Sequence, residues 1–237
     1  MCDTMTQSIP QDIIVILDES GSMETMGNEP KQAINSFIKD QQQTLNDEAT
    51  FSLWKFNTVV TKVVDDEKLS QVKEFTDFNP CGMTALLDAI GEAIITKRNK
   101  EKNHNVICVI LTDGVENSSK KYTSDDIRRL TKEMEEEFNW KFLYLGANQD
   151  SFNVGGVYGM NLNRCANFTC EPGNLDRITR SASSAISNYR TLSAANETPV
   201  DLRLSPNEDA PNKVVSAPAR NSLKLQRSTG LSRVSSK

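Results

Sequence analysis

Three stretches of the chain are apolar almost without interruption: Ile13-Ile14-Val15-Ile16-Leu17, Val106-Ile107-Cys108-Val109-Ile110-Leu111 and Trp140-Lys141-Phe142-Leu143-Tyr144-Leu145. Runs this short, without polar alternation, predict strands buried on both faces. Elsewhere the apolar positions recur at helical spacing. Ala33, Ile34, Phe37, Ile38 and Leu45 make one stripe, Leu86, Leu87, Ile90 and Ile94 a second, and Ile127, Leu130, Met134 and Phe138 a third. Leu175, Ile178, Ala182, Ile186, Tyr189 and Leu192 make the last. Pro30 suits the first turn of the first helix, and Thr123 with Asp126 three residues on predicts a capping box for the third.

Phe51, Leu53 and Phe56, followed beyond Asn57-Thr58 by Val59, Val60, Val63 and Val64, predict two strands joined by a tight turn. A hairpin is antiparallel, so one strand must run against the others, at an edge of the sheet. In 147–173, Gly155-Gly156 argues against a stable helix, while Cys165–Cys170 predicts a short sixth strand. Strands alternating with helices predict an α/β fold. Its centre is a doubly wound, mostly parallel sheet of about six strands with one antiparallel edge strand, and helices cover both faces. The pattern spans residues 11–196, after a short extension, 1–10. From Glu197 it stops: the last 41 residues hold four of the eight prolines, seven serines and no aromatic residue, which predicts a disordered tail.

Composition narrows the functional classes. With 37% hydrophobic and 25% charged residues among 237, the chain has the make-up of a globular protein. No apolar stretch approaches the roughly 18 residues that cross a bilayer, and residues 1–11 carry no basic residue ahead of an apolar segment. The expected location is the cytoplasm, with no membrane partner. Five scattered cysteines argue for reduced thiols, and the lack of a CxxC pair argues against a zinc clip. The net charge of −5 is uneven: residues 197–237 carry seven basic and four acidic side chains, leaving −8 for residues 1–196. An acidic body disfavours nucleic acid. The single histidine, His104, lies among polar residues that predict a surface turn, which excludes a Ser-His-Asp hydrolase. No GxxxxGK[ST] phosphate loop occurs.

The polar residues that close the strands carry the candidate chemistry. Asp18-Glu19-Ser20-Gly21-Ser22 follows the first apolar run, Gly82-Met83-Thr84 opens the second helix, and Thr112-Asp113-Gly114 closes the second run. In an open α/β sheet, ligands sit beyond the carboxyl ends of strands where the strand order reverses. Both carboxylates follow such ends, and the set is the outline of a hard-cation site. Glu19, Glu24, Glu116 and Asn117 read as solvated loop polarity. Asp88 either caps its helix or reaches the cluster. Met23 and Met26 either pack on the helix or form a contact surface, and Gln149-Asp150 reads as a cap.

In the order and type of its elements, residues 11–196 resemble a von Willebrand factor A (vWA) domain, a Rossmann-like fold. Asp18, Ser20 and Ser22 match the DxSxS element of that family's metal-ion-dependent adhesion site (MIDAS). Thr84 matches its isolated threonine and Asp113 the aspartate after the fourth strand. The Ser-Gly-Ser-Met form, with Thr-Asp-Gly and Leu145-Gly146-Ala147-Asn148-Gln149-Asp150, is most similar to intracellular vWA proteins of bacteria, phages and large DNA viruses. The resemblance implies adjacent first and fourth strands and a divalent cation held by Asp18, Ser20, Ser22, Thr84 and Asp113. Mg²⁺, with Mn²⁺ able to take its place, suits five such oxygens because it takes about six and so keeps a position free. The resemblance further implies a protein partner that offers Asp or Glu to the metal, such as an ATPase or another multi-subunit complex, the chain acting as adaptor or scaffold. In some vWA domains the last helix, here about 174–193, moves on binding. Two alternatives stand beside this: a metal-assisted hydrolase, for which Glu19 or Glu116 would have to be the base, and a structural component that keeps the fold without metal.

Overall fold

The computed structural model describes residues 10–44, 49–98, 104–194 and 201–204. The expected extension (apart from Pro10), Leu45 of the first helical stripe, and residues 197–200 and 205–237 of the expected tail lie outside the described residues. Six strands form one sheet: β1 Gln11–Asp18, β2 Thr50–Phe56, β3 Val60–Lys68, β4 Asn105–Thr112, β5 Trp140–Ala147 and β6 Cys165–Phe168. Their spatial order is β3-β2-β1-β4-β5-β6. Every neighbouring pair is parallel except β2 with β3, so the antiparallel strand lies at an edge, as the hairpin requires. The helices are α1 Glu29–Gln42, α2 Leu86–Lys97, α3 Ser124–Glu137, α4 Ser151–Val157 and α5 Asn174–Ala194. No described helix is long and apolar enough to cross a membrane.

Every residue of β1 and β4 is buried, which explains their unbroken apolar runs. Ile13, Val15 and Leu17 pack in the layer made with α1 and α5, whereas Ile14 and Ile16 pack in the layer made with α2 and α3. Each such side chain contributes about 1.5–3 kcal/mol by leaving water. Helix α3 begins at the predicted capping box: the Thr123 hydroxyl accepts from Asp126 N at 3.2 Å, and the Asp126 carboxylate accepts from Thr123 N at 3.1 Å.

The seam between α1 and α5 is polar although buried. Gln41 Nε2 donates to Ser183 O and Ser183 Oγ, both at 2.9 Å, and to Ser187 Oγ at 3.1 Å. Arg190 is fully buried and donates from Nε to Gln11 Oε1 at 2.9 Å and from Nη1 to Gln41 O at 2.9 Å and Gln41 Oε1 at 3.0 Å. At the other end of the seam, Glu29 Oε1 accepts from Gly173 N at 3.0 Å and Asp176 N at 3.3 Å, satisfying free N–H groups where α5 begins.

Two expectations are corrected here. Gly155-Gly156 does not break a helix but lies inside α4. A Cβ at Gly155 would stand 2.4 Å from Cys165 Sγ, so glycine is what lets this short helix lie against β6. Asp150 caps it by accepting from Asn153 N at 3.1 Å. Gly155→Ala should therefore lower stability by about 1–3 kcal/mol through overpacking. Denaturant unfolding with an unchanged midpoint would show that α4 yields freely. The second correction concerns residues 201–204, expected to be disordered and instead docked. Leu202 is buried in the core, and Leu204 N donates to Asn163 O at 3.1 Å. Arg164 donates to Leu202 O at 3.0 Å, to Asp201 Oδ1 at 2.8 Å and to Glu135 Oε1 at 2.7 Å. One leucine and one distant arginine hold this segment, and neither leaves a periodic trace.

Candidate metal centre

Strand order reverses at β1: β2 lies to one side of it and β4 to the other, in parallel register with Leu17 opposite Leu111. Asp18 ends β1 and Asp113 follows β4, so both carboxylates meet over the crevice between these strands. Asp18 is fully buried; its Oδ1 accepts from Ser20 N at 2.7 Å and its Oδ2 from Thr112 Oγ1 at 2.6 Å. The Ser20 and Ser22 hydroxyl oxygens are 3.1 Å apart, and Ser22 Oγ donates to Asp113 Oδ1 at 2.7 Å. Thr84 enters from the loop before α2. A Cβ built on Gly114 would lie 2.9 Å from Thr84 Oγ1 and 3.4 Å from Asp18 Oδ2, so both oxygens border the small space that this glycine leaves open. The structure thus brings all five predicted residues together. Asp18, Ser20 and Thr84 are buried, Asp113 is half-buried and Ser22 is exposed, so the cluster opens to solvent on the Ser22 side.

Burial pushes the Asp18 carboxyl up to about 6, against the hydrogen bonds from Thr112 and Ser20, and the nearby Asp113 charge adds to the rise. Burial raises Asp113 as well, opposed by the Ser22 hydrogen bond. Two carboxyl groups that each resist ionisation in one crevice are what a cation would relieve. The donors are all oxygens, which favours a hard cation over a thiophilic one. Among the described residues no group of three or more His, Cys, Asp or Glu is arranged to hold a metal ion, so a cation here depends on the hydroxyls as much as on the two carboxylates.

The surrounding loops are fixed by residues that sequence reasoning assigned to solvent. Glu19 is buried. Its Oε1 accepts from Lys55 Nζ at 2.9 Å and from Asn79 N at 2.7 Å, and Lys55 Nζ also reaches Asp77 Oδ2 at 2.9 Å. This network ties the first site loop to the long connection that delivers Thr84. Its visible trace was Lys55, a charge inside the apolar strand Phe51–Phe56. Glu116 accepts from Leu87 N, Ser118 N, Ser119 N and Ser119 Oγ, and so holds its own loop against the start of α2. Asn117 brackets Thr84, its Oδ1 accepting from Thr84 N at 2.8 Å while its N–H donates to Thr84 O at 3.0 Å. Asp88 does not reach the cluster but accepts from the backbone N–H groups of Lys120, Lys121 and Tyr122. Glu24 is exposed, as expected, while Met23 and Met26 are buried, which settles them as packing residues. His104 stands before β4, at the other end of that strand from Asp113, and faces Asp12.

A sequence profile of the von Willebrand factor type A domain matches residues 11–154. The chain belongs to this family. Comparison with curated protein sequences gives no match. Solved vWA-like structures share the fold. Proximal thread matrix protein 1 from the mussel byssus, solved with a zinc-occupied MIDAS motif, is 17% identical with a TM-score of 0.56, over 76% of this chain and 46% of its own. A von Willebrand factor type A protein from Catenulispora acidiphila is also 17% identical, with a TM-score of 0.52 over 78% of this chain and 43% of its own. The pilus adhesin SpaC from Lactobacillus rhamnosus GG is 12% identical, with a TM-score of 0.61 over 75% and 30%. The vWA chain described here thus spans less than half the length of each, and at these identities the likeness is one of fold.

Proposed function

We propose that this vWA domain is a divalent-metal-dependent protein interaction module, acting as an adaptor or scaffold. The observation that carries this reading is the convergence of Asp18, Ser20, Ser22, Thr84 and Asp113, two carboxylates and three hydroxyls, on one crevice at the carboxyl end of the sheet. Mg²⁺ is the cation proposed, with Mn²⁺ able to replace it, and the oxygen-only donor set supports that choice. The partner is a protein that presents an Asp or Glu side chain on the solvent side, beside Ser22 and Asp113. A subunit of an ATPase or of another multi-subunit machine is the kind of partner proposed, with the cytoplasm as its location. The zinc-occupied MIDAS of the mussel protein supports a cation at this place in the fold.

In the hydrolase alternative Glu19 or Glu116 must act as base. Glu19 is engaged by Lys55 and Asn79 N, and Glu116 by four donors, so neither is placed to take a proton from water. The experiment is calorimetric titration of Mg²⁺ and Mn²⁺ into chelator-stripped protein. Saturable one-to-one binding is expected, weakened at least about tenfold in Asp113→Ala and in Thr84→Ala. A bound cation should also raise stability by about 2.7 kcal/mol at a hundredfold excess over its dissociation constant. No heat together with no thermal shift would overturn the cation site and leave a structural role for the fold.

A further inference from the structure

Eight large apolar side chains are exposed among the described residues, and three of the four most exposed stand on one rim: Val115 at 71%, Val59 at 65% and Met83 at 50%. They come from three loops that meet at Thr84. Met83 directly precedes Thr84, and its N–H donates at 2.9 Å to the hydroxyl of Thr58, the neighbour of Val59 in the β2–β3 turn. Ala85 N, on the other side of Thr84, donates to Asn57 O of the same turn at 2.8 Å. Val115 lies between Gly114, on which a Cβ would stand 2.9 Å from the Thr84 hydroxyl, and Asn117, which brackets the Thr84 backbone by two hydrogen bonds. The three exposed apolar residues therefore stand on loops that are tied together around Thr84.

The charge of this rim is as informative as its polarity. Residues 57–59, 81–84 and 114–117 include no lysine or arginine. Their one carboxylate, Glu116, is turned onto four donors of its own loop and α2. Within these three segments an acidic partner would find no protein cation and a basic partner no free carboxylate, whereas the exposed Glu24 stands on the first site loop. Apolar surface in water is disfavoured by about 25 cal/mol per Å², and clustered on a rim it marks a contact surface.

We propose that Val59, Met83 and Val115 form an apolar collar that selects a partner segment in which a single acidic residue is flanked by apolar side chains. The proposal rests on the cation reading: the metal takes the acid and the collar takes its flanks. A second carboxylate in the segment would be carried over a surface with nothing to pair it, at a desolvation cost, so specificity arises from exclusion as well as attraction.

Two short peptides test this, each with one central Asp, flanked by Leu and Val in one and by Ser and Gly in the other. Both are titrated calorimetrically into the intact chain at saturating Mg²⁺. The apolar-flanked peptide should bind on the order of tenfold more tightly. The double variant Met83→Ser/Val115→Ser should lose that preference while its Mg²⁺ isotherm matches wild type; both positions are solvent-facing, so the fold is spared. Leu162→Ser, an exposed apolar position on another element, should keep the preference. Equal binding of the two peptides, or binding of neither, over an intact Mg²⁺ isotherm overturns the collar and leaves the cation site standing. An absent Mg²⁺ isotherm in wild type removes the cation site, and the collar with it.

Discussion

Asp18→Asn should make the metal-free protein more stable and at the same time abolish its affinity for divalent cations. The carboxyl of Asp18 is fully buried and burial pushes it up to about 6, from 3.8. Its folded-state pKa is raised, so the native protein holds the proton where the unfolded chain has released it. Stability is then fully present below pH ~4, falls as pH rises through the window up to ~6, and stays low at neutral pH. A shift of this size corresponds to a loss of up to about 3 kcal/mol. Asparagine keeps an acceptor for Ser20 N without the charge. The variant should therefore recover part of this energy and show a flat profile over the same window. Mg²⁺ should stabilise wild type at neutral pH, less so as protons compete near pH 5, and leave the variant untouched. Unfolding curves at several pH values, with and without Mg²⁺, measure all of this. A variant that is less stable than wild type at neutral pH yet still responds to Mg²⁺ would refute the cluster's assignment to a cation.

The second large effect lies away from the cluster. Lys55→Met should destabilise the domain by about 3–5 kcal/mol, because it leaves the buried carboxylate of Glu19 without its cation. Asp77, the other partner of Lys55, is well exposed and contributes little on its own. Adding Glu19→Gln to Lys55→Met should return most of the loss, since glutamine still accepts from Asn79 N and carries no charge. Equilibrium unfolding of the two single variants and the double variant gives the coupling energy. A loss below about 1 kcal/mol in Lys55→Met would mean that water, not Lys55, satisfies Glu19.

The apolar positions made the sheet legible. β1 and β4 are buried on both faces and so read as unbroken runs, and the β2–β3 hairpin requires an antiparallel strand, which lies at the edge. Asp18 and Asp113 were legible for a related reason, since they stand at and just beyond the carboxyl ends of two buried strands, while Ser20, Ser22 and Thr84 were legible through their match to the vWA motif. What the sequence concealed are contacts between one side chain and a distant backbone. Glu19 and Glu116 look like surface charge because their partners, Lys55, Asn79 and the 118–119 backbone, obey no period. Helix α4 was missed for a similar reason. The glycine that weakens its local propensity is required by Cys165, a residue ten positions on. Asp201 and Leu202 join the domain through Arg164, just before β6, and through burial of the Leu202 side chain, neither of which leaves a periodic signal.

The buried amide and guanidinium between α1 and α5 act as an index on the last helix. An apolar seam tolerates axial creep, because one methyl group replaces another at little cost. Gln41 and Arg190 can meet Ser183, Ser187 and Gln11 at one axial position only, and Glu29 fixes the same position from the opposite end. A displacement of a single residue would strand these donors in surroundings without water, at about 1–3 kcal/mol for each. Any axial shift of α5 therefore carries that penalty several times over, and these polar contacts set the register of the last helix on α1.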